Sequence, residues 1–579
     1  MDAAWWNRAH AALWRIAARD DLLEIASRAC WTARQTLPPL LAHSPTTHRW
    51  TASNALLLGA LDDAGITNLL ARSENCLILP LALSILELAL IDAGAATCML
   101  SGSLAQMPIR DFGTPVQRNG YLNAPGTLHG ALCLTEPLPG AGAEAASLTG
   151  RMSFAGAAVD GQPQLEIHKR GRFTSHMDFA GFVLAAVEGD GQGVRGSGLV
   201  ILEPNDTGEF DRGAPVRKLG HRFASTTNPV FRLRVPAARL VGGFTLEQGA
   251  VVPRHSHRIL LEPTLRRMRV LLAVMTAAKA LETVHERTRF GLGGEDLDQH
   301  LALANLWAAG EAAASLGFSA ARSNDAVDLS TETAHAASRL AALLSPAAKL
   351  FSSSALPPLL QRVATFTAPG DQIHSNIQAR LVDAQIEDMY MGPAALQRRL
   401  VSATMTGAWF LTQFSTWIKE VRVRAPHLPK AGAGTLAASM ELWLWTLGRL
   451  RQTCDARGAK LFCDARQGVT FSMADALCGL LAAHSMAMDL DQWQVRPQGA
   501  ERAIFADLGF LAAGQVAGRV AQICTDALCG SAERFSVSIA DQRDFMLRRA
   551  GVDRSLRGVA DARERIAEFL RVQSGCTAG

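Results

Sequence analysis

The chain has no CxxC pair, no large excess of charge of one sign and no long apolar run free of charges, and each absence excludes something. Ten cysteines lie scattered through 579 residues, and the step from Cys524 to Cys529 matches no zinc spacing. Free thiols in a reducing cytoplasm are the simplest reading. The formal net charge is only +4 and no basic stripe interleaves with aromatics, so nucleic acid is not an expected partner. The first residues, MDAAWWNRAHAALWRIAARDD, are amphipathic and repeatedly charged, unlike a signal peptide. In the most apolar run, CLILPLALSILELALIDAG, Pro80, Glu87 and Asp92 intervene, which predicts a buried helix and no membrane span. No internal repeat of fixed period is evident.

What remains is a globular composition, 48% hydrophobic and 19% charged, long enough for about three or four domains. Residues 1–127 are Ala/Leu-rich with helical periodicity. Residues 128–245 turn to Gly, Val, Phe and Thr, and runs such as FAGFVLAAVEG and NPVFRLRVP read as short strands between turns. From 250 to 425 the pattern is helical again, with RMRVLLAVMTAAKALETVHERTRF gathering its charges at one end. PHLPKAGAGT reads as a linker, and 430–579 as an additional helical domain. The expected class is mainly α with a central β-domain.

Four segments in order resemble one family. ELALIDAGAATCMLSGSLAQMPIRDFGTPVQRNGYL, CLTEPLPGAGAEA, RKLGHRFASTTNPVFRLRVPAARLVGG and HERTRFG are similar to successive motifs of the acyl-CoA dehydrogenases. The likeness runs from near residue 50 to near 405, and the tail looks like the extra helical domain of larger members. It implies that family's fold: a helical domain, a β-barrel-like sheet domain and a four-helix bundle, with the helical C-terminal domain added. It also implies FAD, held partly by the neighbouring subunit of a homodimer or homotetramer. The backbone of Leu134 and Thr135 and the Thr135 hydroxyl would meet the flavin edge, where hydrogen bonds tune its electron demand. Read alone, CLTEP is a proline turn after a strand. Arg287 lies three residues before Phe290, on one helix face, which suits a pyrophosphate and an adenine or ribose. Read alone, Arg287 is an ion-pair partner of Glu286 or Glu282. Thr174 stands where the family sets a hydroxyl against flavin, with Arg172 or Phe173 in its tryptophan position. Gln299 matches a family glutamine one residue out of register, or is a solvated helix residue. No metal site is implied.

The family's desaturation takes an α-proton from an acyl thioester, which needs a carboxylate in a dry pocket. Asp383-Ala384 sets the register, with Val382 in place of the family's arginine, and the base-bearing turn then reads Tyr390-Met391-Gly392-Pro393. A thioether is not a proton acceptor. Thr367-Ala368-Pro369-Gly370 replaces a glycine turn beside the adenine, and Gly142 or Ala141 replaces a serine. The expected substrate pocket comprises Gly142, Tyr390, Met391 and Gly392.

Some members carry the base on the first helix of the bundle. Strict register puts Leu261 there and Glu262 one residue along. If Pro263 starts the helix, a one-residue slip makes Glu262 the relocated base. Otherwise Glu262 complements the helix dipole beside Arg266 and Arg267. Glu387 and Asp388 are nearer the turn, at positions the family uses to pack its preceding helix. The resemblance thus implies a cytoplasmic flavin-dependent dehydrogenase of an acyl-CoA or acyl-carrier-protein substrate, with an acceptor such as an electron-transfer flavoprotein. Two alternatives stay open: other flavin chemistry, as an oxygenase or in specialised biosynthesis, and a non-catalytic scaffold that binds acyl thioesters.

Overall fold

The structure is a computed structural model that describes residues 20–42, 51–67, 69, 78–123, 128–137, 148–157, 161–289, 297–329, 334–425, 432–454, 458, 460–492, 500–529 and 538–576. The amphipathic N-terminal segment and most of the expected linker lie outside the described residues. Among the described residues five helices come first: α1 (Asp20–Ala42), α2 (Thr51–Asp63), α3 (Ile78–Ile91), α4 (Ala93–Phe112) and α5 (Pro115–Tyr121). The apolar run is α3, buried along almost its whole length, Glu87 included. A helix apolar on all sides belongs at the centre of a core.

The middle of the chain is a sheet domain of β1 (Gly130–Cys133), β2 (Arg151–Ala157), β3 (Pro163–Arg170), β4 (Thr174–Ser175), β5 (Phe182–Gly189), β6 (Ser197–Leu202), β7 (Thr207–Asp211), β8 (Thr226–Thr227), β9 (Val230–Pro236), β10 (Phe244–Glu247) and β11 (Ala250–Pro253). The main sheet runs β1-β5-β2-β3-β9-β7 with β6 on β5, and β4 pairs with β8 apart from it. Strands β3 and β9 alternate buried and exposed residues; in β9 this follows the apolar and polar alternation of VFRLRVP, and in β3 the buried face carries Leu165, Ile167 and the ion-paired Lys169. In β5, alternate residues enter two cores. Val183, Ala185 and Val187 face the interior of the sheet, whereas Phe182, Leu184 and Ala186 pack on Ala105 and Ile109 of α4 and on Leu260, Leu261 and Leu265. The sheet domain reaches Pro253, past the expected edge at 245, because β10 and β11 close a hairpin.

The FGTPVQ motif joins the two parts. Gly113 admits no side chain, since a Cβ would stand 2.2 Å from the Ile109 carbonyl. Thr114 and Gln117 form a reciprocal cap on α5. The Gln117 amide also donates to the carbonyls of Ala238 and Leu240, both at 2.8 Å, and accepts from the Gly242 amide at 3.1 Å.

The bundle follows: α6 (His257–Arg289), α7 (Leu297–Leu329), α8 (Ala334–Ala364), α9 (Gln372–Glu387), α10 (Ala394–Met405) and α11 (Ala408–Arg424). The C-terminal helices are α12 (Ala433–Gln452), α13 (Gln467–Gln492), α14 (Ala500–Cys529), α15 (Ile539–Ser555) and α16 (Val559–Cys576). Gln467–Asp491 and Arg502–Cys529 are long and apolar enough to cross a membrane, but 72% and 67% of their most apolar stretches are buried inside the protein. They pack as core helices, a role the sequence pattern did not separate from that of their neighbours.

Candidate functional site

The turn between α9 and α10 keeps a defined shape. Met391 has φ +53° and Gly392 φ +93°, and a Cβ on Gly392 would stand 2.3 Å from Leu396. Its carbonyls are held from three elements. Met391 O accepts from Arg269 Nε of α6 at 3.3 Å and from Gln397 of α10 at 3.0 Å. Gly392 O accepts from Gln397 at 3.0 Å and from Lys349 Nζ of α8 at 2.5 Å, and Lys349 also donates to Asp388 O at 2.9 Å. Burial pushes the Lys349 amine down to about 8, against the pull of Asp388. The Met391 side chain packs against both the helical core and the cluster behind β5.

Upstream of this turn lies a buried charge cluster. Glu387 is 1% exposed and ion-paired to Lys279. It also accepts from Thr276 Oγ1 at 2.6 Å and lies 3.0 Å from His221 Nε2. Burial drives its carboxyl up, but Lys279 and His221 more than offset this and hold it below the usual range. Tyr390 stacks edge-on against His221, centroids 5.4 Å apart. The sequence offered one signal for Glu387: with Ile377, Leu381 and Ala384 it completes the buried stripe of α9.

Glu262 is not in a dry pocket. Pro263 sits inside α6, which begins at His257, so the expected slip at a helix start does not occur. Leu261 is buried, whereas the Glu262 side chain is 58% exposed and lies 3.7 Å from Arg266. The relocated-base reading needs a carboxylate enclosed in a dry pocket, whereas Glu262 stands on the helix surface as an i,i+4 partner of Arg266.

At the sheet's edge, Leu134 is buried and Thr135 half-buried. Glu136, the next residue, is fully buried and ion-paired to Lys169 of β3, which fixes the CLTEP turn. The Arg172 amide donates to Thr135 O at 3.1 Å, bringing Thr135 next to the start of β4. Thr174 pairs with Thr227 across β4 and β8, and its buried hydroxyl has no nitrogen or oxygen partner among the described residues. Phe173 is exposed under the Arg172 guanidinium, 4.6 Å from the ring centre.

Farther along, Arg287 and Gln299 are 6% and 5% exposed, which removes the solvated-helix reading of Gln299. Arg287 Nε and Gln299 Nε2 likewise have no partner among the described residues. Glu286, which acts on Arg287 electrostatically, is ion-paired to Arg380, and Glu282 lies 3.6 Å from His285. A buried guanidinium with no ion pair among the described residues suits an anionic ligand. Thr174, Arg287 and Gln299 therefore fit the polar groups of a dinucleotide. Phe290 and Gly142 lie outside the described residues. A cavity of about 1260 Å³ opens among the C-terminal helices, beside Thr435, Asp507, Phe510 and Arg565, and shares no residue with this region.

No family model matches the sequence, and no curated protein matches it. Solved structures do. An acyl-CoA dehydrogenase complexed with FAD from Bacillus anthracis is 17% identical with a TM-score of 0.75, covering 96% of each chain. Butyryl-CoA dehydrogenase from Megasphaera elsdenii is 20% identical with a TM-score of 0.55, covering 67% of this chain and 99% of its own. Podospora anserina nitroalkane oxidase is 17% identical with a TM-score of 0.55, covering 68% of this chain and 97% of its own. The chain has the acyl-CoA dehydrogenase fold, mainly helical with a curled sheet domain.

Proposed function

We propose that this chain is an FAD-dependent oxidoreductase that desaturates an acyl thioester, carried on CoA or on a carrier protein. The observation behind the reading is a set of buried polar atoms: Arg287 Nε and Gln299 Nε2, without a partner among the described residues, and the Thr174 hydroxyl, whose only neighbour of that kind is the Cys133 thiol. Each unpartnered N–H costs about 1–3 kcal/mol unless a ligand satisfies it. Thr135 and Thr174 would hydrogen-bond the ring edge, Arg287 would neutralise the pyrophosphate and Gln299 would meet the adenosine end. FAD bound there supplies a two-electron acceptor. Arg269, Lys349 and Gln397 hold the turn in shape, and Met391 gives the acyl group an apolar wall that excludes water. A homodimer or homotetramer, an electron-transfer flavoprotein as acceptor and a cytoplasmic location belong to the same proposal.

The visible spectrum of the purified protein, before and after reconstitution with FAD, tests the reading. A flavin spectrum or stoichiometric uptake is expected, and its absence under both conditions sinks the idea. Arg287→Ala should weaken FAD binding about 10- to 100-fold, the worth of a charge-assisted contact, as read by calorimetry. A second reading, other flavin chemistry, is favoured by the apolar residue at position 391. Anaerobic bleaching by acyl-CoA supports the first, and oxygen-dependent product formation the second.

A further inference from the structure

Thr97, His221 and Glu387 form a hydroxyl–imidazole–carboxylate chain drawn from α4, the loop before β8 and α9. His221 Nδ1 stands 2.7 Å from Thr97 Oγ1, and His221 Nε2 stands 3.0 Å from Glu387 Oε1. An ionised carboxylate only accepts, so Nε2 carries the proton and Nδ1 is left to accept from the Thr97 hydroxyl. Lys279 and Thr276 of α6 hold Glu387 from its other side. Asp383 accepts from the His221 backbone amide at 2.6 Å, and Asp92 and Lys218 complete the charged surroundings. The His221 backbone is left-handed, φ +47°, a strained conformation of the kind that functional sites tend to hold. His221 is 0% and Glu387 1% exposed, but Thr97 is 7% exposed, so Thr97 is the least sealed residue of the three.

We propose that this chain is the proton acceptor standing in for the missing turn carboxylate, taking the α-proton of an acyl thioester; the proposal rests on the acyl-thioester reading above. The substrate C–H bond breaks and its electron pair stays on the α-carbon. Thr97 Oγ gains that proton while its own hydroxyl proton passes to His221 Nδ1. The imidazolium so formed lies against the Glu387 carboxylate, the arrangement that makes a histidine an effective base. The transfer is reversible and needs no oxidant.

The experiment is exchange of the α-hydrogens of butanoyl-, octanoyl- and palmitoyl-CoA in D2O, read by mass spectrometry, with binding of each ligand measured by calorimetry. The purified full chain should bind at least one of them and exchange its α-hydrogens. Thr97→Val keeps the side-chain shape and should slow exchange about 100-fold or more while the Kd changes less than threefold. His221→Asn, which tolerates the left-handed backbone, should do the same and should also abolish the dependence of exchange on a single basic group in the pH profile. Exchange at the parental rate in Thr97→Val overturns the relay. Binding without exchange by the parent overturns it as well. Failure to bind any of the three ligands overturns the acyl-thioester reading, and the relay with it.

Discussion

Around Met391 the carbonyls of residues 388, 391 and 392 are all satisfied, by Arg269, Lys349 and Gln397. At Thr174, Arg287 and Gln299 the opposite holds: a buried hydroxyl with only the Cys133 thiol beside it, and two buried N–H groups without a partner among the described residues. The turn's backbone is held from three neighbouring elements, and the Met391 side chain takes no part in the holding. The other three side chains bury polar atoms that no neighbouring backbone or side-chain nitrogen or oxygen among the described residues meets. Backbone shape and side-chain chemistry are therefore separable at the turn: residue 391 can be exchanged without touching the bonds that hold it.

Four measurements would break or sharpen this contrast. The largest effect is expected for Glu387→Gln, which leaves Lys279 buried without its anion. It should cost about 3 kcal/mol or more in urea denaturation, and a cost below 1 kcal/mol would show that water reaches the cluster. Met391→Glu places a carboxylate on a turn whose shape is held by Arg269, Lys349 and Gln397. Anaerobic flavin reduction by octanoyl-CoA should rise about 100-fold, and an unchanged rate would mean that the turn no longer faces the acyl group.

His176, two residues beyond Thr174, gives a smaller effect. Burial, followed by the neighbouring His129, pushes its imidazole down to about 3 from 6.5. A base with a lowered folded pKa contributes stability that is complete above 6.5 and lost as pH falls toward 3, at up to about 1.4 kcal/mol per pH unit. His176→Asn should remove that acid slope. Asp92, raised to about 6 by burial and by Asp383, slopes the other way over part of the range but is common to both proteins and cancels in the difference. The smallest effect belongs to Glu262→Ala, which removes only an exposed i,i+4 contact and should lower stability by about 0.2–0.5 kcal/mol in thermal denaturation.

The architecture was legible because each motif carries its own geometry. FGTPVQ is a cap with a required glycine, and the alternation in NPVFRLRVP is a strand with one wet face. Asp383 placed the Tyr390-Met391-Gly392 turn in the sequence, and the structure has a turn there with Met391 and Gly392 at positive φ. The buried charge cluster beside it was not legible. Glu387 meets Lys279 across 108 residues and His221 across 166, and no local pattern announces such partners. Glu262 misled because one residue along a helix is about 100° of rotation, the difference here between the buried Leu261 and an exposed carboxylate.

Gln117 uses all of its side-chain amide's capacity, two N–H bonds and two accepted ones. The seam between the N-terminal helices and the sheet domain is thus latched by one group whose bonds span as many as 125 residues. Such a latch has no half-open state of comparable energy: prying it loose forfeits the set together. The amides of 237–243 should exchange with solvent only through large cooperative openings and outlast those of the exposed β7 edge.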